Sequence, residues 1–362
     1  MTLPIGVAQR DAFGESLSEI AVDFPRIVVL DGDVGSSTGA SIFEEVHPDR
    51  YLQTGIGEQN MVAMAAGLET LGFVPFVTTF SCFAVARALD SVRVLVAQPH
   101  LNVKLIGGYA GLLTGMTGKT HQMFDDIAIM RSLPHMIVIA PADAEEVRQV
   151  VRALAEDERP AYVQITREPG GIIFDDDYRF EIGRTVTLRQ GSDATLVSTG
   201  GETPRVYEAA EILAGRGIEV GVTHVPTIKP LDEESLVAAA EHSRFIITIE
   251  EQSVFGGLGG AVCEALADRF PVPVKRLGLK DCFGESGPSQ MLLDKYRLSP
   301  ARVAEDVERL LRERRAAPRA HRCTDRPDGQ LQTGRGRENL ADLPGGKTGK
   351  VGSYGSDHYA GD

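Results

Sequence analysis

Short apolar strands and helical stretches alternate through residues 1–170, and this alternation narrows the fold more than any other feature of the sequence. RIVVLDGD (26–33) reads as a buried strand entering a turn, with consecutive β-formers followed by Asp and Gly. EQNMVAMAAGLETLG (58–72) reads as a helix rich in Ala, Met and Leu and stopped by Gly72. FVPFVTTF (73–80), NVKLIGG (102–108) and MIVIAPAD (136–143) are further strands. DAEEVRQVVRALAED (143–157) is an amphipathic helix with acids in its first turn, and PAYVQITREP (160–169) closes the unit. Such a pattern implies a parallel sheet with helices on both faces. Sheets of this kind hold their ligands at the carboxyl ends of the strands.

The acidic, Gly-punctuated segment 170–191 breaks the alternation and marks a crossing between domains. A second α/β pattern follows, with strands at ATLVSTG (194–200), IEVGVTHV (218–225), RFIITIEE (244–251) and VPVKRLG (272–278) and a last helix at 299–315. The fold class is therefore α/β: two successive doubly wound domains over 1–175 and 190–315. Residues 316–362 are rich in Gly, Arg and Asp and nearly devoid of bulky aliphatics. They cannot bury enough apolar surface to offset chain entropy, so a disordered tail is expected.

Composition excludes several classes. With 43% hydrophobic and 24% charged residues the chain can build a substantial core. Its net charge of −14 argues against a nucleic-acid surface, while leaving room for a local basic pocket. Cys82, Cys263, Cys282 and Cys323 form no C-x-x-C pair and have no metal-ligand cluster around them, which fits a reduced, cytoplasmic setting. No apolar run approaches the roughly 20 residues that span a bilayer, and no signal peptide is visible.

The chemistry concentrates in TGIGEQNMVAMAAGLETLGFVPFVTTFSCF (54–83). Taken singly, its residues have plain explanations. A Glu at a helix start is favoured by the helix dipole, and F-x-x-F is core packing at one-turn spacing. Together, G-x-G-E-Q-N, a small-residue helix, an apolar strand and T-F-x-x-F resemble the pyrimidine-binding domain of transketolases, a pattern shared in part with 1-deoxyxylulose-5-phosphate synthases. The resemblance continues through GKTHQMFDDIAIMRSLPHMIVIAPADAEEV (118–147), QITREP (164–169) and TIEEQSVFGGLG (248–259), and covers roughly residues 5–312.

The resemblance implies thiamine diphosphate as cofactor. Glu58 would hydrogen-bond the aminopyrimidine and favour the tautomer that activates the thiazolium carbon. Phe80 and Phe83 would line the pyrimidine pocket. Asp33 would lie near the cofactor at a subunit interface; on its own it reads equally as a turn residue. His121 would face the reacting carbonyl, and Arg10 and Arg167 would hold a substrate phosphate. Three departures bear on substrate. Gln59 stands where transketolases usually have His, Tyr109 aligns with a substrate-contacting His, and Thr117 aligns with an Asp that reads sugar hydroxyls. The cofactor machinery looks retained and substrate recognition altered.

The G-D-G…N signature that binds the diphosphate and its Mg²⁺ is missing, and LDGDVG (30–35) is a poor imitation. With that signature absent, the resemblance implies the C-terminal, pyrimidine-binding half of a transketolase as a separate subunit. Its partner would be a separate N-terminal subunit carrying the diphosphate and Mg²⁺ ligands, in an α2β2 heterotetramer. The alternatives are the β-subunit of a 2-oxo acid dehydrogenase, or a catalytically idle scaffold subunit.

Overall fold

The computed structural model describes residues 2–316, all within one compact unit. In chain order the first half contains α1 (Gln9–Ile20), β1 (Ile27–Asp31), β2 (Tyr51–Gln53), α2 (Glu58–Glu69), β3 (Val74–Phe80), β4 (Lys104–Gly108), α3 (Asp126–Ser132), β5 (Ile137–Ile139), α4 (Ala144–Glu156) and β6 (Ala161–Gln164). All five residues of β1 and of β4 are buried, as expected for parallel strands covered on both faces. Helix α4 starts where expected because the Asp143 side chain caps it, accepting from the Glu146 N–H at 2.9 Å.

The second half adds β7 (Val186–Arg189), β8 (Ala194–Ser198), α5 (Thr203–Ala214), β9 (Val220–His224), β10 (Thr227–Lys229), β11 (Ile246–Ser253), α6 (Leu258–Arg269), β12 (Val274–Leu279) and α7 (Pro300–Ala316). Its five-stranded sheet runs β12-β11-β8-β9-β7, parallel except for β7. The first sheet has seven strands in the order β10-β5-β6-β4-β3-β1-β2. Strand β1 has β2 on one side and β3 on the other, so the strand order reverses there.

Two features go beyond the expected alternation. Strand β10 leaves the second half and pairs antiparallel with β5, Thr227 opposite Ile139. The three residues TIK ahead of a proline are too short to announce a strand. A two-stranded ribbon also joins Ile5–Ala8 to Pro169–Gly171. The last helix runs to Ala316, so the expected tail over 316–362 otherwise lies outside the described residues. Among the described residues, no helix is long and apolar enough to cross a membrane.

The two halves are also tied by a buried polar post. Glu146 on α4 accepts from the Ala142 N–H at 2.6 Å and the Tyr178 hydroxyl at 2.6 Å. It also meets Nε2 of His224, on β9, at 2.8 Å, with both side chains fully buried. A carboxylate only accepts, so Nε2 carries the hydrogen, and Nδ1 lies 2.8 Å from the Thr203 hydroxyl. Removing one member leaves the others desolvated and unpaired. Glu146→Ala is therefore expected to cost about 3 kcal/mol, read as a lowered denaturation midpoint, and Glu146→Gln clearly less.

Candidate active site

The carboxyl ends of the central strands and the start of α2 bring their following residues to one edge of the first sheet. After β2 the chain turns through Gly55, at φ 70°, and enters α2 at Glu58. Gly57 offers no side-chain cap, so the Glu58 carboxylate is the negative charge at this helix start. It is only 5% exposed. Among the described residues its one side-chain partner is Arg87, whose Nη1 stands 3.4 Å from Oε1.

Strand β3 ends at Phe80 and the chain passes directly into a helical stretch, in which Phe83–Arg87 is wound as a π-helix. Such wide turns recur at functional sites. Arg87, four residues beyond Phe83, folds back over that ring, Cζ to centroid 4.5 Å. Strand β4 ends at Gly108, and buried Tyr109 follows in the left-handed region at φ 60°. Its ring stacks on Phe80 with centroids 4.1 Å apart and planes at 14°. Phe80 also stacks on Phe83 at 5.6 Å, and His121 meets both edge-on, at 5.8 and 5.5 Å. The His121 Nδ1 lies 2.9 Å from the Thr120 hydroxyl.

Two cations complete the Tyr109 end. Arg167, beyond β6, places Cζ 5.2 Å from the Tyr109 ring centroid. Arg10, in the first turn of α1, donates from Nη1 to the Tyr109 hydroxyl and to the Ser37 carbonyl, each at 3.3 Å. The structure therefore gathers Phe80, Phe83, Tyr109, His121, Arg10 and Arg167 into one cluster, with Glu58 joined through Arg87. Among the described residues, neither Asp33 nor Thr117 makes a side-chain hydrogen bond to it. Asp33 is exposed at φ 66° with a 3.5 Å contact from the Gln53 amide, and the Thr117 hydroxyl turns back to the Thr114 carbonyl at 3.1 Å.

A cavity of about 550 Å³ opens beside Phe83 and Arg87, between Lys119 and the second half's Phe283. Cys82 also lines it, but burial pushes its thiol up to about 12, which keeps it from acting as a nucleophile. Behind the cavity-lining residues, fully buried Asp126 takes the Tyr162 hydroxyl at 2.5 Å and the Gln164 amide at 2.8 Å. Burial pushes its carboxyl up to about 6.

Arg87 and Asp126 were not read as site residues from the sequence. Arg87 follows Phe83 by one helical turn and lies outside the T-F-x-x-F motif. Asp126 is one of two adjacent aspartates, and only the fold distinguishes the buried one from its exposed neighbour.

Residues 6–170 match the transketolase pyrimidine-binding domain, and residues 183–303 match the transketolase C-terminal domain. A transketolase C-terminal section from Methanocaldococcus jannaschii is 41% identical over 301 residues, 82% of this chain and 94% of that protein. The chain belongs to the transketolase family. The 6-deoxy-6-sulfo-D-fructose transketolase subunit of Clostridium sp. strain MSTE9 is 37% identical, over 81% of this chain and 91% of that subunit. A solved split-gene transketolase, an inactive β4 tetramer, superposes with a TM-score of 0.77 at 40% identity, covering 85% of this chain and 99% of that one. The matches cover 91–99% of these three proteins and 81–85% of this chain, and the family depends on thiamine diphosphate.

Asp126 gives this transketolase chain a measurable pH signature. Its carboxyl binds a proton more tightly folded, at about 6, than at its ordinary 3.8. Its contribution is therefore present below 3.8 and lost as pH rises through about 6. Asp126→Asn still accepts from Tyr162 and Gln164 without a buried charge. The variant should gain stability relative to wild type across that window and be at least as stable at neutral pH. Denaturant melts at intervals from about pH 4 to about pH 7 check this.

Proposed function

We propose that this chain is the pyrimidine-binding subunit of a thiamine-diphosphate-dependent transketolase that moves a two-carbon ketol unit from a ketose to an aldehyde. The active site is completed by a separate N-terminal subunit that supplies the diphosphate and Mg²⁺ ligands, in an α2β2 heterotetramer. When bound, the coenzyme supplies the electron sink for carbon–carbon bond cleavage.

Glu58 carries this reading. It is a buried carboxylate at a helix start, and among the described residues its one side-chain partner is a long contact from a half-exposed arginine. Beside that arginine lies the Phe83 ring. A flat heteroaromatic with a protonated ring nitrogen matches both features, stacking on the phenyl face and donating to the carboxylate. In this reading the Glu58 carboxylate holds the proton at the ring nitrogen, exchanging Arg87 for that donor. His121, edge-on to Phe80 and Phe83, takes and returns a proton at the reacting carbonyl.

Arg10 and Arg167, arranged around Tyr109, bind an anionic terminus on the sugar. Guanidinium groups suit tetrahedral oxyanions. The sulfonated sugar in the name of the Clostridium relative supports an oxyanion terminus, phosphate or sulfonate. The inactive β4 tetramer formed by the split-gene relative supports the need for a partner chain.

Calorimetric titration of this chain alone with thiamine diphosphate and Mg²⁺ should give no tight binding. In the complex with its partner, Glu58→Gln should lower turnover by about a hundredfold or more with little change in melting temperature. Unchanged turnover in Glu58→Ala would overturn the proposal in favour of an idle subunit.

A further inference from the structure

The segment from Tyr109 to Phe124 joins β4 to α3 and carries His121. Three of its glycines, Gly111, Gly115 and Gly118, have φ of 72°, 60° and 77°, where L side chains are strained. At each, a group from the second half stands where a Cβ would be. These groups are the Glu251 carboxylate at Gly111, the Ser289 hydroxyl and Gly287 carbonyl at Gly115, and the Ser286 hydroxyl at Gly118. A side chain is excluded twice over at these positions, by backbone conformation and by contact.

Hydrogen bonds follow the same division. Leu113 N donates to Glu251 Oε1 at 2.8 Å, and Gln122 Nε2 donates to the Glu285 carbonyl at 3.1 Å. Ser253 N donates to the Phe124 carbonyl at 2.7 Å. Glu168, next to Arg167, accepts from the Ser289 hydroxyl at 2.7 Å. The second half thus grips this loop near both ends.

Glu251 is itself held. Its other oxygen pairs with Arg205, which also bonds Glu202 Oε2 from Nε at 2.8 Å. Glu202 is fully buried, and desolvation, reinforced by the charge on Glu251, pushes it up to about 8. One guanidinium thus serves two carboxylates, the more buried of which favours its neutral form.

We infer that the second half of the chain positions the His121 loop, with Glu251 as the positioning residue that clamps it through the Leu113 amide. The inference rests on the catalytic reading of His121. A displacement of about 1 Å in a group near the chemistry costs about a hundredfold in rate, so the clamp acts on turnover more than on affinity.

The test is a double-mutant cycle in the complex with the partner, combined with amide hydrogen exchange on this chain. Glu251→Ala should lower kcat about a hundredfold with KM changed less than about threefold. In a His121→Asn background it should cause little further loss, because both act through one group. Glu251→Gln, which keeps an acceptor for Leu113, should recover most of the rate. Exchange across residues 111–122 should accelerate in Glu251→Ala while β8 and β9 stay protected. Additive losses, or unchanged exchange across the loop, overturn the inference. If Glu251→Ala does not fold, Glu251→Gln takes its place in the cycle, with a smaller non-additive loss expected. If His121→Asn leaves turnover intact, the reading of His121 fails and takes this inference with it. The loop's faster exchange then marks that outcome as distinct from an absent clamp.

Discussion

A parallel sheet imposes one constraint from which the rest of this molecule follows: every strand in it ends on the same edge. Residues far apart in sequence are delivered there by different strands. Phe80 comes from the end of β3, Tyr109 from just past β4, and Arg167 from just past β6. The reversal of strand order at β1 opens the crevice that such sheets use for ligands. Glu58 enters from β2 by a four-residue turn, so its helix begins on the same edge.

The second constraint is that charges taken into such an interior need partners. Glu146 has three, and they tie α4, β9 and the segment between the two halves together. Lys104, fully buried at the opposite end of β4, donates to the carbonyls of Asp157 and Arg159, and burial still pulls its amine down to about 7. Glu250 accepts from the N–H groups of Leu258 and Gly259 at the start of α6, and burial pushes it up to about 7. Its neighbour Glu251 faces the first half instead. Two adjacent acids in one strand therefore serve different purposes, one holding a helix of its own half and the other a loop of the facing half. Successive residues of a strand point to opposite sides, and this makes the division possible.

Local patterning was enough to read most strands and helices, because parallel strands are continuous apolar runs and α4 carries its own capping residue. The motif around Glu58 was legible for the same reason: a helix start, a small-residue helix and a strand lie within thirty residues. What the sequence did not disclose depends on contacts between distant segments. The pairing of β10 with β5, the loop grip by Glu251 and the burial of Asp126 rather than Asp125 are all long-range. Asp33 and Thr117 enter from the family resemblance alone; within the chain Asp33 has a long contact from the Gln53 amide and the Thr117 hydroxyl bonds the Thr114 carbonyl.

Tyr109 occupies a backbone conformation whose cost its side-chain contacts must offset. A non-glycine residue at positive φ costs on the order of 1–2 kcal/mol. Here the cost is offset by stacking on Phe80, by the hydrogen bond from Arg10 and by the Arg167 guanidinium near the ring. A histidine in the same place would be shorter and could not carry a hydroxyl out to Arg10. It would leave that guanidinium, whose Nε has only a 3.5 Å ion-pair contact with Asp11 and no hydrogen bond among the described residues, with fewer contacts. The phenol thus does what a smaller polar ring could not, orienting two cations from one post while adding no charge of its own. The two arginines at this end of the cluster are held by packing and hydrogen bonding around one tyrosine.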